Sequence, residues 1–315
     1  MDQNKYWACC VRCFTYNQSP YIEEAMNGFT MQQTSFPYVC CIVDDASADG
    51  EQKIIKHYLE EHLNLKDKSV VRNEETEDFV LTFAQHKTNR NCYFAVLFLK
   101  YNHYLKKSKM SYIAEWHDKA KYIAMCEGDD YWTDPLKLQK QFDFMEAHTE
   151  CSLCFHSNYD LYPSNEKIIR KPEKIKEFYT PEDAIYGGGG FMATNSMFYR
   201  GNLVNYNDLP YFWKCSPVGD LPLMLYLVSK GTIGYIDETM SVYRRQAVGS
   251  WSTRQNSIKV KVNHHKAIVK MFHEYDKYMD YQYHSVILKA VSINRKIFIK
   301  KIFKMFAKRI FKHCM

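Results

Sequence analysis

Three acids fall within four residues at Glu127-Gly128-Asp129-Asp130, at the end of an apolar run and just before Tyr131-Trp132. Carboxylates this close repel one another unless a cation or solvent relieves them. Mg2+ and Mn2+ take carboxylate oxygens and keep positions open for phosphate. A cation held so can stabilise a diphosphate as a leaving group. A solvated turn capping the next helix explains the same residues without a metal. A second acidic turn, Asp44-Asp45-Ala46-Ser47, follows an earlier apolar run. An acid after an early strand of a nucleotide-binding sheet accepts hydrogen bonds from base or ribose, although a helix N-cap has the same composition. Gly219-Asp220 stands at the start of an apolar helical run. A carboxylate there could take the proton of an attacking hydroxyl, or could simply cap the helix.

These residues are positioned by alternating elements. Trp7–Phe14 and Tyr38–Val43 read as strands, and Tyr21–Gln33 and about 49–63 as helices. A third strand is expected near Ser69–Arg72, a strand at Ala120–Cys126, a helix from Pro135, a strand at Ser152–His156 and a last strand from Tyr235 to near Tyr243. The alternation predicts an α/β fold with a mostly parallel sheet flanked by helices. Ligands of such sheets gather outside the carboxyl ends of the strands, where Thr15-Tyr16-Asn17 and Asp44-Asp45 would meet. Residues 79–118 read as helix, with His86, His103 and His117 in no metal spacing. The charged stretch 163–183 reads as loop. Gly187–Gly190 lacks the context of a phosphate loop and reads as a mobile loop lining an acceptor pocket, or as a plain connector.

The chain of 315 residues carries a formal charge of +6. Arg295 to Lys312 holds eight Lys or Arg and no acid, so the remainder is near −2. The body is therefore no nucleic-acid binder by charge. In the tail, Ile297, Phe298, Ile302, Phe303, Phe306 and Ile310 fall near one helical face. Lys300, Lys301, Lys304, Lys308 and Lys312 share the other. That pattern predicts a basic amphipathic helix on an anionic membrane surface through 295–315. Packing against the domain is the competing reading. Eleven cysteines, an odd number without a secretory leader, suggest free thiols in a cytoplasmic protein. The pairs Cys10/Cys13 and Cys151/Cys154 lie in expected strands, where residues three apart face opposite ways and do not chelate together. No apolar run reaches the length that spans a bilayer. Twenty-five tyrosines suit the stacking of sugar rings.

Taken in order, Thr15-Tyr16-Asn17, Val43-Asp44-Asp45-Ala46-Ser47-Ala48-Asp49-Gly50, Glu127-Gly128-Asp129-Asp130-Tyr131-Trp132, Gly219-Asp220, and Tyr243-Arg244 with Gly249-Ser250 resemble the family 2 glycosyltransferases of GT-A fold. The resemblance covers about residues 5–253. It implies that Thr15 and Asn17 line a nucleotide pocket and that Asp45, with Asp44, holds uracil or ribose. Glu127-Gly128-Asp129 matches the family's metal motif, with Asp129 the direct ligand of Mn2+ or Mg2+ and Asp130 adjacent. Asp220 matches the catalytic base, and Arg244 lies where a late loop closes near the diphosphate. The expected reaction is inverting transfer from a nucleotide-sugar donor, a UDP-sugar by family habit, to a saccharide or lipid-linked acceptor. Cell-surface polysaccharide or glycolipid assembly is the expected setting.

Two residues depart from the pattern: Glu127 replaces the first Asp of the motif, and Gly219 stands where many members have an acid. The processive members' Gln-x-x-Arg-Trp is absent, since Arg244-Arg245-Gln246 and Trp251 are arranged otherwise, so a single addition is expected. A sugar-phosphate nucleotidyltransferase would need a glycine-rich loop where Thr15–Pro20 stands, and a dinucleotide oxidoreductase would need a missing glycine fingerprint. A non-catalytic nucleotide-sugar-binding scaffold at the membrane is the remaining alternative. Residues 1–255 are expected as the GT-A domain and 256–315 as a basic helical extension.

Overall fold

The computed structural model describes residues 7–104, 106–248, 250 and 257–313, and in the last helix side chains up to position 303 and at 305. Gly249 and Trp251 lie outside the described residues, as do the side chains of Lys304, Phe306, Lys308, Ile310 and Lys312.

The first half opens as the pattern requires. Strand β1 (Trp7–Thr15) leads to helix α1 (Ile22–Thr30), β2 (Tyr38–Asp44) and α2 (Glu51–His62). The apolar run of β2 is buried at every position, as a central parallel strand must be. The stretch 79–118 is not helical throughout. It forms β4 (Phe79–Gln85) and β5 (Cys92–Leu99), and only α3 (Met110–His117) is helix. A short edge strand β3 (Arg72–Glu75) precedes them, a few residues later than expected. The second half carries β6 (Ala120–Met125), β7 (Tyr131–Trp132), α4 (Lys137–Ala147) and β8 (Cys151–Leu161). The segment expected as loop contains β9 (Lys167–Arg170), β10 (Phe178–Tyr179) and α5 (Pro181–Gly187). Thr180 and Asp183 close a reciprocal capping box on α5. Then come β11 (Phe198–Arg200), α6 (Tyr211–Lys214), α7 (Asp220–Val228), β12 (Thr232–Arg244), α8 (Ile258–Tyr278) and α9 (His284–His313).

Among the described residues twelve strands join one sheet in the order β10-β12-β8-β11-β6-β1-β2-β5-β4-β3, with β7 on β12 and β9 on β8. The run β6-β1-β2-β5 and the pair β8-β12 are parallel, while β3, β4, β7, β9, β10 and β11 add antiparallel pairs around them. The expected parallel sheet is thus its centre, and short hairpin strands make the whole mixed. Because β11 is antiparallel to both β6 and β8, the carboxyl ends of β1, β2, β5, β6, β8 and β12 share one edge.

Two apolar cores cover the two faces, divided by strand alternation: Cys10 faces one and Cys13 the other. Cys151 and Cys154, however, pack into the same core. The register between β8 and β12 slips by one residue at Ser152, and such a bulge restores the same facing to residues three apart. All ten cysteines among the described residues are free thiols. Helices α8 and α9 bury Ile268, Met271, Phe272, Tyr275, Ile287, Ala290 and Val291 in the first core. No helix among the described residues is long and apolar enough to cross a membrane.

Candidate active site

Strand β1 lies between β2 and β6, so the chain leaves it first toward one side and later toward the other. The crevice outside such a reversal is where α/β sheets hold ligands. Its walls are the turns after β1, β2 and β6, which carry Thr15–Asn17, Asp44–Ala46 and Glu127–Asp130.

The first two turns are laced together. Asp45 N–H donates to the Thr15 carbonyl at 3.0 Å. Asn17, in the left-handed region at φ 55°, receives the Ala48 N–H on its side-chain oxygen at 2.9 Å and gives its own N–H to Ser47 Oγ at 2.8 Å. Ala46 is also left-handed, at φ 61°. At the centre is Glu51, fully buried, whose carboxylate accepts from Thr15 Oγ1, from Gln18 N–H at 2.8 Å and from Ser47 Oγ at 2.8 Å. Burial pushes its carboxyl above the usual range, against the pull of these donors. An acid opening a helix normally reads as a solvated first-turn residue, so nothing in the sequence marked Glu51 as the hub.

Asp44 is fully buried. Its Oδ1 accepts from Ser47 N–H and the Gln52 amide, while Oδ2 has no partner among the described residues. Burial raises its carboxyl too. Asp45 is buried with both oxygens engaged: Oδ1 takes the His103 N–H at 2.7 Å and Oδ2 the Lys109 ammonium at 2.9 Å. Asn102 binds the Asp45 carbonyl at 3.0 Å. The segment after β5 therefore closes over the second turn, a role hidden while 79–118 read as one helical stretch.

Gly128 is fixed by space. A Cβ there would stand 2.2 Å from Thr15 Oγ1 and 2.7 Å from Thr15 Cβ, so only glycine lets the acidic turn lie against β1. Glu127 and Asp129 are half-buried and Asp130 is buried. Burial pushes Glu127 up to about 7, with Asp129 adding and Arg12 and Lys109 opposing. Asp130 is raised by burial and then by Asp129. Its Oδ1 takes the Arg244 backbone N–H at 2.8 Å.

Arg244 is committed to the same turn. Its guanidinium lies between the rings of Tyr21 and Tyr131, 4.7 and 4.6 Å from their centres. It donates to the Asp129 carbonyl at 2.7 Å and pairs with Glu24. This arrangement ties the end of β12 to the acidic turn and to α1.

Asp220 is the first residue of α7, half-buried, with Oδ1 receiving the Leu221 N–H at 2.8 Å. Helix α7 precedes β12, which runs toward the crevice edge, so the start of α7 faces that edge. Burial raises the Asp220 carboxyl, with Arg170 opposing. Tyr243 feels the charge of both acidic regions. Burial first, then Asp130, Asp129 and Asp220, push its phenol up to about 12.

Among the described residues no group of three or more His, Cys, Asp or Glu is arranged to hold a metal by itself. The glycine run is no phosphate cradle in shape: Gly188–Gly190 form a single 3-10 turn after α5, with Gly188 at φ 54°.

Residues 11–80 match the family described as Glycosyl transferase family 2. Uncharacterized proteins of Mycobacterium tuberculosis and Mycobacterium bovis are 31% identical over 246 residues, which is 75% of this chain. The chain spans 58% of the length of these relatives. Among solved structures, S. aureus TarS 1-349 in complex with UDP superposes with a TM-score of 0.48 at 16% identity, over 84% of this chain and 65% of that one. A mannosyltransferase, PcManGT from Pyrobaculum calidifontis in complex with GDP-Man and Mn2+, gives 0.49 at 12% identity, over 88% and 66%.

Proposed function

We propose that this chain, whose residues 11–80 match glycosyl transferase family 2, moves a sugar from a nucleotide-sugar, a UDP-sugar, to a hydroxyl of a saccharide or lipid-linked acceptor, with inversion. The setting is cell-surface polysaccharide or glycolipid assembly. One arrangement carries the reading. The acidic turn after β6 lies against β1 at the reversal of the sheet, and the start of α7, with Asp220, faces the same edge.

In this reading Thr15, Asn17 and the Asp44-Asp45 turn form the nucleoside wall. Asp44, fully buried, shapes that wall from beneath by holding Ser47 and Gln52. Asp45 anchors that wall through Lys109 and His103. Arg244 positions the acidic turn by holding the Asp129 carbonyl. The donor set fits Mn2+ or Mg2+, since a cation that also binds phosphate needs only one or two carboxylates from protein. Asp129 would supply the first oxygen with Asp130 behind it, and Glu127 flanks them across Gly128. Bound there, the cation would neutralise the charge of the departing nucleoside diphosphate. Asp220 takes the acceptor's hydroxyl proton as that oxygen bonds to the anomeric carbon and the bond to the donor phosphate breaks. Attack from the face opposite the leaving group needs no covalent enzyme intermediate.

A calorimetric panel of nucleotide-sugars with and without Mn2+, on wild type and Asp129→Ala, tests the reading. One donor should bind in a Mn2+-dependent way and lose that dependence in the variant. If no donor binds under any metal condition, the non-catalytic scaffold becomes the better account.

Residues 1–255 form the transferase part in this reading, and 256–315 the basic extension docked on it. The extension also suits the inner face of an anionic membrane. Ile297, Ile299 and Phe303 are exposed beside Arg295, Lys296, Lys300 and Lys301, and no acid follows His284. Removing 295–315 spares the packed Ile287, Ala290 and Val291. It should abolish sedimentation with phosphatidylglycerol vesicles, and equal sedimentation of both chains would end the membrane role.

A further inference from the structure

We propose that Arg170 and Arg245 form a receptor for a phosphate group carried by the acceptor beside its accepting hydroxyl. The inference rests on the transferase reading and names a chemical class for its acceptor.

The two arginines meet on one sheet face. Arg170 stands directly across from Asn158 in the β8-β9 pair, and Asp160 directly across from Tyr243 in the β8-β12 pair. Residues opposite one another share a face, as do residues two apart in a strand. That face therefore presents Arg170, Asn158, Asp160 and Tyr243 together. Arg245 follows the end of β12, lies over the Tyr243 ring at 4.8 Å and pairs with Asp160.

The charges do not balance. Asp160 is buried, and its two oxygens are taken by Arg245 and by the Asn158 amide at 3.1 Å. Arg170 has no carboxylate within ion-pair distance among the described residues. It is half-buried, and its hydrogen bonds, to the carbonyls of Gly190 and Met192, both use Nη2. Its Nε and Nη1 have no protein partner among the described residues. Within ion-pair distance the two guanidinium groups thus share one carboxylate, with Asp220 acting on Arg170 only at longer range, and planar donors are left for an anion. Burial, and then Arg245, lower the proton affinity of Arg170, which is the state an incoming anion relieves.

Position assigns the anion to the acceptor. Arg170 grips the segment 190–192 that follows α5, and α5 packs on α7, the helix that begins at Asp220. Arg170 and Asp220 also sense each other electrostatically. The nucleotide wall lies at β1 and β2. Three strand spacings separate β1 from β8, about 14 Å; Arg245 also acts on Asp130 of the acidic turn, whereas Arg170, which acts on Asp220, is the arginine left to the other substrate.

Glycerol 3-phosphate is a suitable probe, with glycerol as neutral control, titrated calorimetrically into protein saturated with UDP and Mg2+. Wild type should bind the phosphate ester at least roughly tenfold more tightly than glycerol, the worth of one charged hydrogen-bond pair. Arg170→Met should lose that preference and Arg170→Lys should keep part of it, with UDP affinity unchanged in both. Equal binding of ester and glycerol by wild type would overturn the inference. Loss of UDP affinity in Arg170→Met would overturn it too, by assigning the arginines to the donor. Failure of wild type to bind UDP at all would remove the transferase reading, and this inference with it.

Discussion

Asp220→Asn should lower turnover by about 10²–10⁴-fold, the usual contribution of a positioned general base, and leave donor affinity unchanged. The amide keeps the shape and can still accept the Leu221 N–H through its oxygen, but it cannot take a proton. The wild-type pH profile carries a second signature. Burial raises the Asp220 carboxyl above the ordinary carboxylate value near 3.9. The base works only when deprotonated, so kcat/KM should fall as pH drops through that raised value, at a higher pH than a solvated aspartate would give. Steady-state rates across pH on both proteins check this. Retention of full activity in Asp220→Asn would remove Asp220 from the chemistry.

Lys137→Met should make the protein about 2 kcal/mol more stable at pH 7, a shift of roughly 3 °C in Tm. Lys137 is fully buried, and its ammonium has no hydrogen-bond partner among the described residues. Burial drives its pKa down to about 8 from the ordinary 10.5, although Cys9, Cys126 and Cys154 pull the other way. The unfolded chain therefore holds this proton over a pH range in which the native chain has lost it. Stability rises with pH between about 8 and 10.5, and below 8 the deficit is complete. At about 1.4 kcal/mol per pKa unit the deficit is roughly 3 kcal/mol. The Trp132 ring, 3.8 Å away, offsets part of it by a cation–π contact. Methionine matches the length of the stem and carries no charge. Denaturant titrations at pH 7 and near pH 10 should show the advantage of the variant shrinking as pH rises. A variant less stable than wild type at pH 7 would show that the ring contact outweighs desolvation.

The early elements were legible because each ends abruptly. The apolar runs of β1 and β2 give way to Thr15–Pro20 and Asp44–Ser47, clusters that stop a strand and open a helix. The misreading of 79–118 has an equally physical cause. Phe79–Gln85 and Cys92–Leu99 are short apolar runs without clean alternation, and periodicity alone does not separate such strands from buried helix. The signal that was present is the polar turn Lys87-Thr88-Asn89-Arg90-Asn91 between them. That error concealed His103 and Lys109, which reach Asp45 from the segment after β5. The acids of the crevice could be found because strand ends expose them. Glu51 and Arg170 could not, since their meaning depends on which partners the fold gives or denies them.

Glu51 also determines how a ligand is received. A crevice whose two turns are already held by a buried carboxylate has little backbone freedom left to lose. Association then requires no rearrangement of these two turns. The entropy that an unstructured pocket would surrender stays out of the balance, so a modest contact area can hold a nucleotide firmly. Such a site behaves as a rigid mould on the donor side, and adaptation to different substrates falls to the acceptor side.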